Sequence, residues 1–177
     1  VSNPRKNYAK AMLRIYPYNN FSGDYSATTL TLANSADPTN AIGLEYVRAY
    51  VVDENTVFFY AGNIDETRID REKYKIYARF EGDTNGTVRL WSDNLDLKFS
   101  TDNRASFRIY EQMDKVQPYL KHRYVILNNV NYSYVDYTSV PGYEMAYTAK
   151  GTLTLERKLN TQIKNPDYAI QWASEGQ

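Results

Sequence analysis

Lys73-Tyr74-Lys75-Ile76-Tyr77-Ala78-Arg79-Phe80 decides the fold. Tyr74, Ile76, Ala78 and Phe80 occupy every second position, and Lys73, Lys75, Tyr77 and Arg79 fill the places between them. A period of two places alternate side chains on opposite faces of an extended backbone, so this stretch predicts a strand with one face in a core and one in water. Asn85-Gly86 follows, and both residues tolerate positive φ. That dipeptide predicts a hairpin joining 73–80 to a second strand over Thr87–Trp91.

The same pattern extends in both directions. Upstream, Asp24–Asn34 alternates Thr with Ala and Leu and breaks at Ala36-Asp37-Pro38-Thr39-Asn40. Leu44–Val52 and Thr56–Ala61 pair about Asp53-Glu54-Asn55, a good hairpin turn. Ile64–Glu72 is charged and loop-like, with room for one helical turn. Downstream, Asp93-Asn94 turns into Leu95–Ser100, where Leu95, Leu97 and Phe99 alternate with Asp96 and Lys98. Ala105–Glu111 sets Phe107 and Ile109 against Ser106, Arg108 and Tyr110. Two long strands close the domain near Arg123–Tyr137 and Tyr143–Arg157, turning at Pro141-Gly142. Asn165 fits an N-cap and Pro166 a first helical position, so Ala169, Ile170 and Trp172 dock a short C-terminal helix on the sheet.

Eight or nine short strands without crossover helices make an all-β, antiparallel domain. Sequential hairpins and the long final pair favour a lipocalin-like (calycin-type) β-barrel of about eight strands, and a β-sandwich fits the same spacing. Residues 1–20 read as a linker or lead-in from an upstream domain, with Leu13 and Ile15 forming a short edge strand before Pro17. Residues 21–177 read as the single barrel domain.

Composition excludes several functions. The 177 residues carry 21 Lys plus Arg and 21 Asp plus Glu. No basic cluster offers the counterion exchange that nucleic-acid binding needs, and no apolar run is long enough for a membrane helix. Cysteine is absent and His122 is the sole imidazole, so thiolate metal sites are excluded and zinc would depend mainly on carboxylates. No calcium loop, nucleophile elbow, P-loop or dinucleotide fingerprint occurs. His122 reads as a surface or capping residue. Asp96, Glu111, Asp136, Glu144 and Glu156 could in principle supply a glycosidase pair, but their parity matches the solvated face. The expectation is therefore no catalytic residue, no metal and no cofactor.

Tyrosine, with 18 copies, is the more informative feature. Tyr77, Trp91 and Tyr110 fall on the faces that carry Lys75, Arg79, Arg89 and Arg108. Rings on an otherwise charged face form a platform on which sugars stack while neighbouring polar groups bond hydroxyls. The competing reading is that these rings are ordinary strand residues packing on a neighbouring domain. Tyr132, Tyr134 and Tyr137 could instead line the barrel mouth. Two further readings are an interior site for a small apolar ligand, which large Tyr and Phe side chains filling the lumen would argue against, and a structural spacer domain.

Four stretches carry a family resemblance: Asn20-Phe21-Ser22-Gly23-Asp24-Tyr25-Ser26-Ala27-Thr28, Val57-Phe58-Phe59-Tyr60-Ala61-Gly62, Asp136-Tyr137-Thr138-Ser139 and Gly151-Thr152-Leu153-Thr154-Leu155-Glu156-Arg157. Over about Phe21–Trp172 the chain resembles a C-terminal domain of unknown function from Bacteroidetes cell-envelope proteins. The resemblance implies a preceding domain of immunoglobulin-like type and an association with glycan-uptake systems. It also implies export to the periplasm or outer-membrane surface, with a lipid anchor on an upstream segment. It assigns a role to no residue.

Overall fold

The computed structural model describes residues 18–172, so the edge strand expected about Leu13 and Ile15 lies outside the described residues. Its strands in chain order are β1 (Gly23–Ser26), β2 (Thr31–Asn34), β3 (Asp37–Gly43), β4 (Tyr46–Val51), β5 (Thr56–Tyr60), β6 (Lys75–Gly82) and β7 (Asn85–Trp91). They continue as β8 (Ser100–Thr101), β9 (Ser106–Met113), β10 (Leu120–Asp136), β11 (Met145–Asn160) and β12 (Ile170–Gln171), with a one-turn helix α1 (Pro166–Ala169) before the last. Every pairing is antiparallel, and neighbours run β11-β1-β4-β5-β6-β7-β9-β10 before β10 returns to β11. This closes an eight-stranded barrel, not a sandwich. β2, β3, β8 and β12 are additions around it.

The alternation of β6 is realised as read. Tyr74, Ile76, Ala78 and Phe80 are buried, while Lys75, Tyr77 and Arg79 face outward. Inward rings of Phe59, Tyr74, Phe80, Phe107, Tyr132 and Tyr134 fill the lumen and form part of one continuous core. Tyr132 and Tyr134 are each 1% exposed, so they are core fillers and not a mouth. Tyr137 is half-buried with its ring 5.9 Å from that of Tyr74, and its hydroxyl accepts from Asn94 at 2.9 Å.

Several expected elements move. Asp24–Asn34 is two strands, β1 and β2, because the chain changes neighbour within it: β1 pairs with β4, β2 with β3, and both touch β11. The break expected at Ala36–Asn40 is only a tight turn at Ser35-Ala36, where the Asn34 side chain accepts the Ala36 N–H at 2.9 Å. Asp37–Gly43 then continues as an exposed edge strand, where Pro38 is tolerated. Asn85-Gly86 is not the β6–β7 turn. Gly82 pairs with Gly86, so Asp83, Thr84 and Asn85 lie between the last paired residues, with positive φ taken by Gly82 at 134°. Gly86 is needed for room: a Cβ there would meet the Glu81 carbonyl oxygen at 1.9 Å. Leu95–Ser100 is mostly not a strand. Asn94 caps a 3₁₀ turn over Leu95–Leu97 by accepting the Asp96 N–H at 3.1 Å, and Lys98 ends it in the left-handed region.

One end of the barrel is closed by residues 19–22. Phe21 stacks on Phe80 at 3.9 Å between centroids and meets Phe107 edge-on. Arg123 and Arg157 face each other across β10 and β11. Arg123 donates to the Asn20 carbonyl at 2.9 Å, and Arg157 to those of Asn19 and Ser22 at 2.9 and 3.0 Å. The rings of Tyr18 and Trp172 lie 5.6 and 5.4 Å from the Arg157 guanidinium. Burial, helped by the neighbouring Arg123 charge, lowers Arg157 to about 10. The helix α1 starts as expected, with Asn165 accepting the Asp167 N–H at 3.0 Å and Pro166 in its first turn. Ala169 is buried there, whereas Trp172 remains 54% exposed beside Tyr18.

Candidate ligand-binding face

The outer face of β4 to β7 carries a row of rings set by strand register. Tyr50 opposes Phe58, Phe58 opposes Tyr77, and Tyr77 opposes Trp91. Alternation puts all four outside, because Ala49, Val57, Phe59, Ala78 and Leu90 take the core. Tyr50 and Phe58 stack at 5.1 Å and 20°, and Tyr77 and Trp91 at 5.3 Å and 17°. A tilted contact at 6.2 Å joins the two pairs. Across three inter-strand steps the row spans about 14 Å. Lys75 sits 4.3 Å over Phe58 and Arg89 5.4 Å over Trp91. These flexible cations lie on the π surface for which a sugar's C–H face would compete.

The structure joins Tyr77 to Trp91 but places Tyr110 elsewhere. The β7–β9 ladder sets Thr87 opposite Ser106. Trp91 is four residues beyond Thr87 in one direction, and Tyr110 four beyond Ser106 in the other. At strand rise that separates them by about 27 Å along the ladder. Tyr110, 40% exposed, instead stacks on Tyr124 at 4.8 Å, with Arg108 lying 5.6 Å over its ring. Beside Tyr124, His122 is clamped by Glu156 at Nδ1 (2.6 Å) and Asp114 at Nε2 (2.8 Å).

Next to the ring row, a pocket opens where β4 and β5 part. Their ladder contains only the Tyr50–Phe58 and Val51–Val57 rungs. Beyond these, residues 46–49 of β4 remain paired with β1 on the other edge only, and residues 62–67 cover the gap. The resulting cavity has a volume of about 400 Å³ and is walled by Tyr46, Arg48, Tyr60, Asn63, Asp65 and Glu66, among others. Its covering loop is pinned on both sides. Gly62 N–H donates to the Tyr132 hydroxyl at 3.0 Å, and Gly62 has φ of 53° with the Tyr134 hydroxyl where a Cβ would stand. Arg68 forks onto Asp70 at 2.9 and 3.0 Å and reaches Thr138 and Ser139 at 2.9 Å.

The polar wall of the pocket is ionised and internally bonded. Arg48 donates to Asp24 at 2.7 Å and to Glu66 at 3.4 Å, and the Asp24 bond raises the guanidinium pKa further. Burial, then the nearby Glu66 carboxylate, push the Tyr50 phenol up to about 12. The Thr67 hydroxyl and N–H both bond Asp65 at 2.7 Å and hold its carboxyl below the usual range.

Of the carboxylates weighed for catalysis, Asp136 departs from the solvated face. It is 5% exposed, and burial opposes its charge. Bonds from Ser139, Tyr74 and two backbone N–H groups outweigh that and keep its carboxyl below the usual range. Glu144 pairs with Lys98, Glu111 with Lys121 and Glu156 with His122. Among the described residues no group of three His, Cys, Asp or Glu side chains is placed to hold a metal ion.

Tyr50 and Phe58 escaped the sequence reading although the hairpin about Glu54 carries their signal, since equal steps from the turn centre place them opposite each other. The pairing of that hairpin with β6, which completes the row, has no local signal.

The fold defines the class: a closed antiparallel barrel domain of the lipocalin-like kind. A family model described as "-like, C-terminal" matches residues 9–154, and the chain belongs to that family of C-terminal domains. An auxiliary nutrient binding protein from Bacteroides thetaiotaomicron VPI-5482 is 46% identical, with a TM-score of 0.83 over 97% of this chain and 57% of its own. A multidomain protein including DUF1735 from Bacteroides ovatus is 35% identical, with a TM-score of 0.81 over 88% of this chain and 56% of its own. A protein of unknown function from the same species is 34% identical, with a TM-score of 0.79 over 93% and 55%. The chain thus spans little more than half the length of these relatives. The comparison with curated proteins found no match. The resemblance read from the sequence is borne out, and the relatives' descriptions name no enzyme.

Proposed function

We propose that this chain is a non-catalytic accessory domain of an exported envelope protein, and that it contributes to glycan binding through the Tyr50–Phe58–Tyr77–Trp91 row and the adjoining pocket. The carrying observation is the register. Four outward rings on successive strands form one band, and Tyr60, which touches Tyr50 and Phe58, joins that end of the band to the hydrogen-bonding groups of the pocket. Apolar faces bordered by polar groups suit sugars, which are themselves two-faced. The reading draws support from the relative described as nutrient-binding and auxiliary. It also carries the location at the envelope, the attachment to an upstream domain and the upstream lipid anchor.

Titration against a panel of neutral and acidic polysaccharides, followed by tryptophan fluorescence and calorimetry, tests this reading. Binding is expected, with a loss of at least tenfold on Trp91→Ala or Tyr77→Ala. Tyr110→Ala, far along the barrel, is expected to leave affinity unchanged. No binding to any member of the panel, or binding indifferent to both row substitutions, would remove the reading and leave the row as a docking surface for a neighbouring domain.

A further inference from the structure

The pocket beside the ring row carries information about ligand charge. The charged side chains lining it are Arg48 on β4 and Asp65 and Glu66 on the covering loop, and Asp24 on β1, outside the lining, pairs with Arg48. That sets two lining carboxylates against one guanidinium that a third carboxylate already holds. Arg48 is already engaged by Asp24 and Glu66, so its charge is neutralised from inside the protein before any ligand arrives. Lys75, the nearest flexible cation on the row, is bonded to Glu72 and lies over Phe58. At the Tyr60 wall, Arg71 donates to the Tyr60 hydroxyl at 3.3 Å and to the Arg68 carbonyl at 3.0 Å, and that hydroxyl donates in turn to Glu72 at 3.1 Å. A carboxylate or sulfate entering the cavity therefore meets Asp65 and Glu66, while the cations bordering it are already engaged within the protein. Like charges brought together in a partly desolvated recess repel more strongly than in open water.

A neutral sugar meets no such penalty. Its hydroxyls can donate to the outer oxygens of Asp65 and Glu66 and accept from the Asn63 amide, while Tyr46, 57% exposed, offers a ring at the rim. The volume of about 400 Å³ lies at the small end of ordinary ligand sites, about 300–1,000 Å³.

We propose that the cavity between β4 and β5 is a subsite for one uncharged pyranose residue of the glycan and discriminates against residues bearing a carboxylate or sulfate. The inference rests on the glycan-binding reading above and adds the ligand class. The polymer would lie across the strands along the ring row, with one residue seated in the cavity.

The test compares neutral polymers (galactomannan, arabinogalactan, xyloglucan and dextran) with polygalacturonate and chondroitin sulfate at low salt. At least one neutral polymer is expected to bind at least tenfold more tightly than either acidic one. Tyr46→Ala is expected to weaken the neutral ligand at least fivefold. Asp65→Asn combined with Glu66→Gln, which keeps hydrogen-bonding capacity, is expected to narrow the neutral-to-acidic gap at least threefold. Should that variant fail to fold, raising sodium chloride from about 0.05 M to about 1 M with the unaltered protein supplies the same readout, because screening weakens the repulsion. Acidic polymers binding as well as neutral ones would overturn this inference and leave the glycan-binding reading standing. So would a gap untouched by both the substitutions and salt, whereas silence across the whole panel would remove the parent reading instead.

Discussion

At the scale of single residues, His122 shows how much a local environment adds to a bare letter. The sequence marks it as a surface or capping side chain. In the fold both ring nitrogens meet carboxylates, Asp114 first and Glu156 second in effect, and its pKa is raised. Asp114 is in turn lowered to about 2, chiefly by the Gln117 N–H and then by His122. An unfolded histidine titrates near about 6.5, and the folded protein holds the proton more tightly. The clamp therefore contributes fully below about pH 6.5 and is lost as pH rises through the higher folded value. Thermal unfolding between about pH 5.5 and pH 8.5 should show the melting temperature of the unaltered protein falling relative to that of His122→Gln, whose profile is flatter. Parallel profiles would mean that the clamp is not formed in solution.

At the scale of elements, the β6–β7 hairpin separates what a motif says from what a ladder needs. Asn85-Gly86 announces a tight turn correctly but misplaces it, since Asp83, Thr84 and Asn85 lie between the last paired residues and Gly86 is already paired. Gly86 is required because β6 passes too close for a side chain. Gly86→Ala should therefore cost about 1–3 kcal/mol in denaturant unfolding, the range for forcing an atom into filled space. Asn85→Ala should cost much less, since Asn85 pairs with Arg108 on β9 through backbone that alanine keeps. Equal losses at both positions would return the turn to Asn85-Gly86. Leu95–Ser100 teaches the complementary lesson. Its alternation is genuine in the letters, yet Asn94 captures the chain in a 3₁₀ turn and leaves Leu95 at 89% exposure. A capping bond formed within two residues overrides a three-tooth pattern that finds no partner strand.

At the scale of the whole molecule, both ends of the described chain meet at the closed end of the barrel. Arg157 joins them: its guanidinium holds the carbonyls of residues 19 and 22 while packing against Tyr18 and Trp172. Arg157→Met keeps much of the volume but removes the donors from acceptors in a buried place. The expected loss is about 1–3 kcal/mol, read as a lower denaturation midpoint, with proteolysis near Tyr18 accelerated. An unchanged midpoint would mean that Phe21, wedged against Phe80 and Phe107, closes the barrel alone.

The letters by themselves determined the all-β class, the inward and outward faces of β6, the β4–β5 hairpin, the two long closing strands and the start of α1. Each follows from a period of two, a turn or a cap, and these are forces acting within a few residues. The sequence could likewise mark Tyr77 and Trp91 as outward rings. Only tertiary structure decided that they are neighbours, that Tyr50 and Phe58 continue their row, that Tyr110 lies far from it, and that β4 and β5 part to leave a cavity. Those facts depend on which strand lies beside which and in what register. That choice is made by burying one shared core, an energy summed over the whole barrel and written in no single stretch of chain.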